Sequence, residues 1–423
     1  MREGWETKML KEFCNDYKQD IVDGPFGANL KREHYVDEGI PVLKIQNIKP
    51  FHIELKKMDY VSPEKTYELR RHGYTNGDII ITKLGLPLGA AAIVKDIPDG
   101  IIVADLVRVR AQKIDPQYLC YHLNSPTTNA FLNSQQGGAT RPRVQISAVR
   151  ELPITAPSLA EQKQIVAILD EAFEGIDRTI RNTEKNLANS RKLFESYLNA
   201  IFTQKGDGWV EKKLSEVCQV TGGGTPSKSN EEFYTGTIPW ATVRDMKNEI
   251  IYQTECRITE EAVRKSSTNI IKKGNIVIAT RVGLGKVCMV AQDTAINQDL
   301  RGIIPKNNSQ VSPRFLFWWL KSIAHLIKKE GTGATVQGVK VTFINLLQIP
   351  TPTLSEQDRI VAILDELSRE TQRLESIYRQ KIAALKELKQ SILQKAFTGE
   401  LTAQPSSPTT ADTSTTVKEE IRA

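Results

Sequence analysis

Cysteine and histidine are both scarce in this chain of 423 residues, at five apiece. Cys14, Cys120, Cys218, Cys256 and Cys288 are odd in number and contain no C-x-x-C pair. That spacing argues against a zinc site or a disulfide framework and for free thiols in a reducing compartment. His34, His52, His72, His122 and His325 stand at no ligand spacing either, so no metal is expected. Long hydrophobic runs are also missing. Nothing approaches the roughly 18 apolar residues of a membrane helix. The charged opening Met1-Arg2-Glu3-Gly4-Trp5-Glu6 leaves no room for a signal peptide. The expected location is cytoplasmic, with no membrane contact.

What the chain has is a sequence said twice. Glu161-Gln162 followed by Ile165-Val166-Ala167-Ile168-Leu169-Asp170-Glu171 returns as Glu356-Gln357 followed by Ile360-Val361-Ala362-Ile363-Leu364-Asp365-Glu366, at an offset of 195 positions. The same offset pairs Leu193 with Leu388, Ser196 with Ser391, Leu198 with Leu393 and Phe202-Thr203 with Phe397-Thr398. Shorter matches lie upstream: Gly4-Trp5 with Gly208-Trp209, Ile40-Pro41 with Ile238-Pro239, Gly138-Ala139-Thr140 with Gly333-Ala334-Thr335. So large a period means tandem domains rather than a solenoid. Identity is dense in the repeated helices and sparse upstream, so the chain is two divergent globular modules, each followed by a similar helix.

The modules read as mixed α/β. Gly77-Asp78-Ile79-Ile80-Ile81-Thr82 and Gly274-Asn275-Ile276-Val277-Ile278-Ala279 are short β-branched runs opened by turn residues, the pattern of buried strands. Pro116 and Pro313 open short helices at the permitted first turn. Proline-rich hinges, Pro153–Pro157 and Pro350–Pro352, end the modules, with Ser158 and Ser355 close before the helices. The expected boundaries are a first module over 1–157, a helix over 158–206, a second module over 207–353, a helix over 354–399 and a disordered Ser/Thr/Pro-rich tail over 400–423.

Each helix carries a seam of threes and fours. It runs through Phe173, Ile176, Ile180, Thr183, Leu187, Ser190, Phe194, Tyr197 and Ile201 in the first. In the second it runs through Leu364, Leu367, Thr371, Leu374, Tyr378, Lys381, Leu385, Leu388 and Ile392. About 43 residues at 1.5 Å per residue give ~65 Å, too long for one module to cover. The two helices are therefore expected to pack on each other, antiparallel, with pseudo-twofold symmetry. Net charge is +7. The helix segments 161–203 and 356–399 come to −1 and +1 and the tail to −2, which leaves +9 on the modules. Basic modules suit phosphate contact and balanced helices suit protein contact.

Two modules each closed by an L-x-E-Q-x-x-I-V-A-I-L-D-E helix resemble the specificity (S) subunit of type I restriction-modification systems, over residues 1 to 403. Asp23-Gly24-Pro25-Phe26-Gly27, Gly223-Gly224-Thr225-Pro226-Ser227, Ile238-Pro239-Trp240, Asn297-Gln298-Asp299-Leu300-Arg301-Gly302 and Ala396-Phe397-Thr398-Gly399-Glu400-Leu401 add to the likeness. The resemblance implies a non-catalytic reader of double-stranded DNA. Each module would be a target recognition domain for one half of a split site, and the helices would fix the gap. Two modification (M) subunits would dock on the helices and methylate adenine with S-adenosylmethionine. Restriction (R) subunits would add translocation and cleavage with ATP and Mg. No cofactor is implied for this chain.

The residues themselves leave two rivals. A self-contained DNA methyltransferase is suggested by Asp115-Pro116-Gln117-Tyr118, one residue from the D-P-P-Y motif. Its repeat-mate Ser312-Pro313-Arg314-Phe315 has lost the acid, and proline opening a helix explains both. Gly283-Leu284-Gly285 follows a strand, but Lys286–Val290 continues as a second strand where a cofactor fold needs a helix. Gly222–Pro226 lacks a Walker ending, and no stretch offers the clustered carboxylates of a metal nuclease. The other rival is a coiled-coil scaffold that binds only proteins, for which DNA affinity would show little salt dependence.

The DNA-contact candidates lie where strands run into glycine loops. They are Lys83, Gly85 and Gly89 in the first module and Thr280, Arg281, Gly283 and Gly285 in the second, with Arg141, Arg143 and Gln337 on the following segments. Because the two sets differ in charge, the DNA site is expected to be asymmetric and bipartite, its halves about half to one and a half helical turns apart. Docking candidates for the M subunits are Asp170, Glu171, Asp365 and Glu366.

Overall fold

The computed structural model describes residues 4–85, 88–137, 142–308, 310–331 and 338–402. Arg141, Gln337 and the tail from residue 403 lie outside the described residues. Two compact units form: one of residues up to 182 with those from 381 onward, the other of residues 183–380. The division passes through both long helices, Leu159–Gln204 and Leu354–Thr398. Each unit is thus one module plus half of each helix.

In the first unit, strand Glu6–Met9 pairs antiparallel with Pro153–Ala156, so the module closes on its own hinge. A four-stranded sheet runs in the order Ala91–Ile93, Ile79–Thr82, Leu106–Val109, Ile21–Asp23. A five-stranded sheet runs Tyr35–Val36, Asp59–Val61, Ile40–Leu43, Gly100–Ile102, Gly73–Tyr74. The second unit repeats the plan. Val210–Lys213 pairs with Gln348–Thr351. Its larger sheet is ordered Cys218–Gly222, Leu300–Pro305, Ile276–Ala279, Val287–Val290, Ile250–Ile251. Both apolar runs singled out in the sequence, Ile79–Thr82 and Ile276–Ala279, are buried strands.

The repeated Gln explains itself. Gln162 accepts from the Asp115 backbone amide at 2.9 Å and donates to the Pro157 carbonyl at 2.8 Å. Gln357 accepts from the Ser312 amide at 2.9 Å and donates to Pro352 at 3.0 Å and Gln310 at 2.8 Å. Each buried amide ties the start of a long helix to the cap of the module's own short helix, Pro116–Leu123 or Pro313–Ser322. The cap of the second long helix is Thr353, whose hydroxyl accepts from the Glu356 amide; Ser355 already lies inside the helix.

Within each unit the long-helix segments run antiparallel. In the first, Lys389 Nζ meets Asp177 at 2.7 Å and 2.9 Å, and Thr402 Oγ1 donates to Glu161 at 2.6 Å. In the second, Arg191 meets Glu375. Ile165 and Leu169 share the first core with Leu393 and Phe397, and their repeat-mates Ile360 and Leu364 share the second with Leu198 and Phe202. The seam differs from its sequence reading in the middle. Leu374, Lys381, Leu388 and Tyr197 face solvent, while Glu375, Ile382, Lys389 and Leu198 turn inward. A strict 3.5-residue alternation lags a straight helix by about 20° per heptad. Successive residues stand about 100° apart, so once the lag passes about 50°, between the second and third heptad, the next residue lies nearer the inward face.

Candidate nucleic-acid interface

In the second module the sheet edge nearest the glycine loops is built around Arg301. Strand residue Gly222 lies opposite it in register, where an added Cβ would stand in ordinary van der Waals contact with its Nη1, at 3.9 Å. Nη1 donates to the carbonyls of Leu300 at 2.9 Å and Gln298 at 3.2 Å. The turn beneath is held by Asn297, whose Oδ1 accepts from the Asp299 amide at 3.2 Å. Gly223 is fixed against that turn: a Cβ would meet the Asn297 carbonyl oxygen at 2.0 Å. Gly224 is fixed likewise, its carbonyl accepting from Trp240 Nε1 at 3.1 Å and Thr268 Oγ1 at 2.8 Å. The glycine run is therefore a packed joint.

Arg281 stands beside this turn, half exposed, with Nη1 at 3.7 Å from Asp299. Burial first, then the neighbouring Arg281 charge, pushes the Arg301 guanidinium below its ordinary pKa, while Asp299 acts in the opposite direction. Among the described residues Arg301 forms no ion pair.

The first module handles the same place differently. Hydrogen bonds align Lys83 with Thr280: the Lys83 amide donates to Asp105 O at 3.0 Å and the Thr280 amide to Asp299 O at 2.9 Å, while Val144 and Val339 donate back to Lys83 and Thr280. Strand register aligns Asp23, opposite Val107, with Gly222, opposite Arg301. Lys83 is only 2% exposed and is ion-paired to Asp23 at 2.7 Å, with the Phe26 ring 4.6 Å from its Nζ. The ammonium expected at the surface is thus turned inward, because the Asp23 carboxylate arrives from a strand sixty positions upstream.

The other candidates divide. Gly85 has φ +87° and its amide donates to the Pro142 carbonyl at 3.0 Å. Arg143 exchanges backbone hydrogen bonds with Gly137 and bridges Leu84, so these three segments form one loop cluster. Gly89 sits away from it, packed so that a Cβ would be 2.4 Å from Leu132 Cδ1. Thr280 is buried. Gly283 and Gly285 hold the turn after Arg281 at φ +71° and +81°. Arg301, Gln298 and Asp23 were not among the expected site residues, although the Asn297–Gly302 and Asp23–Gly27 motifs contain them; nothing local in the sequence marks which side chain of a motif is unpaired.

On the helices Asp170 accepts from the Tyr121 hydroxyl at 2.5 Å, and Asp365 accepts from Trp318 Nε1 at 2.7 Å and Arg314 Nε at 2.8 Å. Both carboxylates therefore serve their own modules. Glu171 and Glu366 are exposed. Three apolar pairs also face solvent at repeated positions: Leu159 and Leu354, Ile168 and Ile363, Leu193 and Leu388. The module-helix joint itself is aromatic in the first unit, where Phe51 packs on Phe173 and Tyr121. In the second, Phe194 and Phe202 pack on Trp318 and Phe315, and Glu249 also faces Arg314, Lys321 and Ser368 beside a cleft of about 1120 Å³. Among the described residues no cluster of metal-ligating side chains occurs and no helix is long and apolar enough to cross a membrane.

Two copies of an α/β module, each stitched to a pair of antiparallel helices, define a tandem recognition architecture. The chain belongs to the family described as type I restriction modification DNA specificity domain, which matches residues 2–188 and again 206–384. It is 33% identical over 271 residues to the type I restriction enzyme EcoR124I/EcoR124II specificity subunit of Escherichia coli, a match that spans 59% of this chain and 62% of that protein. It is 23% identical over 420 residues to the putative MjaX specificity subunit of Methanocaldococcus jannaschii, spanning 94% of both. Among solved structures it shares its fold with a chain from a type I R-M system assembly, at a TM-score of 0.75, 22% identity and 95% and 99% coverage. The HsdS subunit of Thermoanaerobacter tengcongensis is similar at a TM-score of 0.55 and 21% identity, covering 95% of this chain and 98% of that one.

Proposed function

We propose that this chain is the DNA-reading specificity subunit of a type I restriction-modification complex. It recognises an asymmetric two-part site on double-stranded DNA and directs adenine methylation and restriction by partner subunits, with no catalysis of its own. The observation that carries this is the contrast between modules and helices. The first module holds a sequestered Lys83–Asp23 pair, while the second has Gly222 at the position aligned with Asp23 and Arg301 opposite it, whereas the helices keep one repeat register at a fixed offset. Different half-sites read from one repeated platform follow from that arrangement.

The platform supports two copies of one partner. Solvent-facing Ile168 with Glu171 recurs as Ile363 with Glu366; matching surfaces bind identical M subunits. S-adenosylmethionine is assigned to those M subunits, and ATP and Mg to R subunits. The test is co-expression with the M subunit encoded beside it in a methylation-free host, followed by mapping of N6-methyladenine. A two-part motif with a fixed gap is expected. A stable complex that methylates nothing would remove the DNA-reading role, and failure to form any complex would favour a scaffold.

A further inference from the structure

Arg301 is half-buried at the start of a central strand, oriented by two carbonyls on one nitrogen, and its Nε and Nη2 have no partner among the described residues. Neither nitrogen is among the atoms sealed from water without a partner, so both stand open to an incoming acceptor. The first module shows how the fold neutralises a cation at this place: Asp23 meets Lys83 at 2.7 Å. The second module has glycine at the aligned position, and the nearest acid, Asp299, is engaged with Asn297 and faces Arg281. The second module thus lacks the acid that the first places here, and Arg301, standing where the first module has Val107, is held by two carbonyls instead.

Resting on the specificity-subunit reading, we propose that Arg301 is a base-reading residue of the second module, donating two hydrogen bonds to a guanine edge at O6 and N7 in the major groove. A planar fork held by a packed strand and turn suits that bidentate geometry. Arg281 is the contrasting group: half-exposed on a glycine turn, it suits a phosphate, which carries no sequence information. Exposed Gln298, whose carbonyl orients Arg301, borders the same surface.

The test uses the full chain in complex with its M subunits, and reads both methylation motif and DNA affinity for wild type, Arg301→Ala and Arg301→Lys. With either variant, one base pair in one half of the motif becomes degenerate while the other half and the gap stay fixed. Affinity for the cognate site falls roughly ten- to hundredfold and affinity for random DNA much less. Arg301→Lys keeps the charge and a buried stem, so it carries the test if the alanine variant folds poorly. An unchanged motif at unchanged affinity overturns the proposal. So does a uniform loss on all sequences with the motif intact, which is the signature of a phosphate contact. A wild-type complex that shows no two-part motif would instead bring down the underlying reading, and this proposal with it.

Discussion

The guanidinium of Arg191 meets the carboxylate of Glu375 in a two-pronged contact, both arms 2.7 Å, joining the two long helices within the second unit. Its counterpart in the first unit, Lys389 with Asp177, is better shielded on the basic side: Lys389 is 14% exposed and lies 4.4 Å from the centre of the Phe173 ring, where Arg191 is 45% exposed. The two pairs should differ in weight. Lys389→Ala is expected to cost about 1–3 kcal/mol, since it removes a shielded charge pair and a ring contact together. Arg191→Ala is expected to cost at most about 1 kcal/mol. Urea unfolding of the two variants measures this, and equal losses would refute it.

The Lys83–Asp23 pair is asymmetric in burial, 2% against 19% exposed. Removing the acid strands an ammonium with no route to water, while removing the base leaves a carboxylate that can rehydrate. Asp23→Ala should therefore destabilise by about 3 kcal/mol or more, and Lys83→Met by clearly less. Thermal denaturation of both variants reads the order directly.

His122 is buried against the Phe397 ring, its Nε2 accepting from the Thr155 amide at 3.3 Å and its Nδ1 3.2 Å from Thr128 Oγ1. Burial lowers its pKa from the usual 6.5 to about 4. The unfolded chain takes up this proton below about pH 6.5 and the folded chain does not. The stability that neutral His122 supports is therefore complete above that pH and is lost as pH falls toward 4, by about 3 kcal/mol in all. Packing aligns His122 with Trp319, which does not titrate, so melting curves taken between pH 7 and 4 should show the first unit weakening before the second. His122→Phe should flatten that difference.

Arg281→Ala is expected to weaken DNA binding evenly across sequences and to reduce the slope of log affinity against log salt by about 1, while assembly with M subunits is retained. Titrations at several salt concentrations check it.

Docking is tested away from Asp170 and Asp365, because those carboxylates hold their own modules. Joint replacement of exposed Ile168 and Ile363 by serine should abolish copurification with M subunits and shift stability by no more than about 0.5 kcal/mol. Undiminished copurification would move the docking site elsewhere.

How far the sequence reached depended on how local each feature is. The matching strands Ile79–Thr82 and Ile276–Ala279 follow from neighbours in the chain, and they stand buried as expected. The drift of the seam onto Glu375 and Lys389 was hidden because charged residues look like surface until their partners, Arg191 and Asp177, come from the other helix. Lys83 was misleading for the same reason: its acid comes from a distant strand. Arg301 lies inside the Asn297–Gly302 motif, but Gly222 stands opposite it only through strand register, which neighbours in the chain do not reveal.

Asp170 and Asp365 occupy one place on a repeated helix, yet a phenol donates to the first and an indole with a guanidinium to the second. A carboxylate accepts from any donor that reaches it, so at this one contact the helix asks its domain only for a donor. It works as a common socket. A domain with a different reading surface can be seated there when it brings a proton to that oxygen, a helix cap to Gln162 or Gln357 and an apolar face to the shared core, and the vocabulary of such a protein can then be rewritten without redesigning its frame.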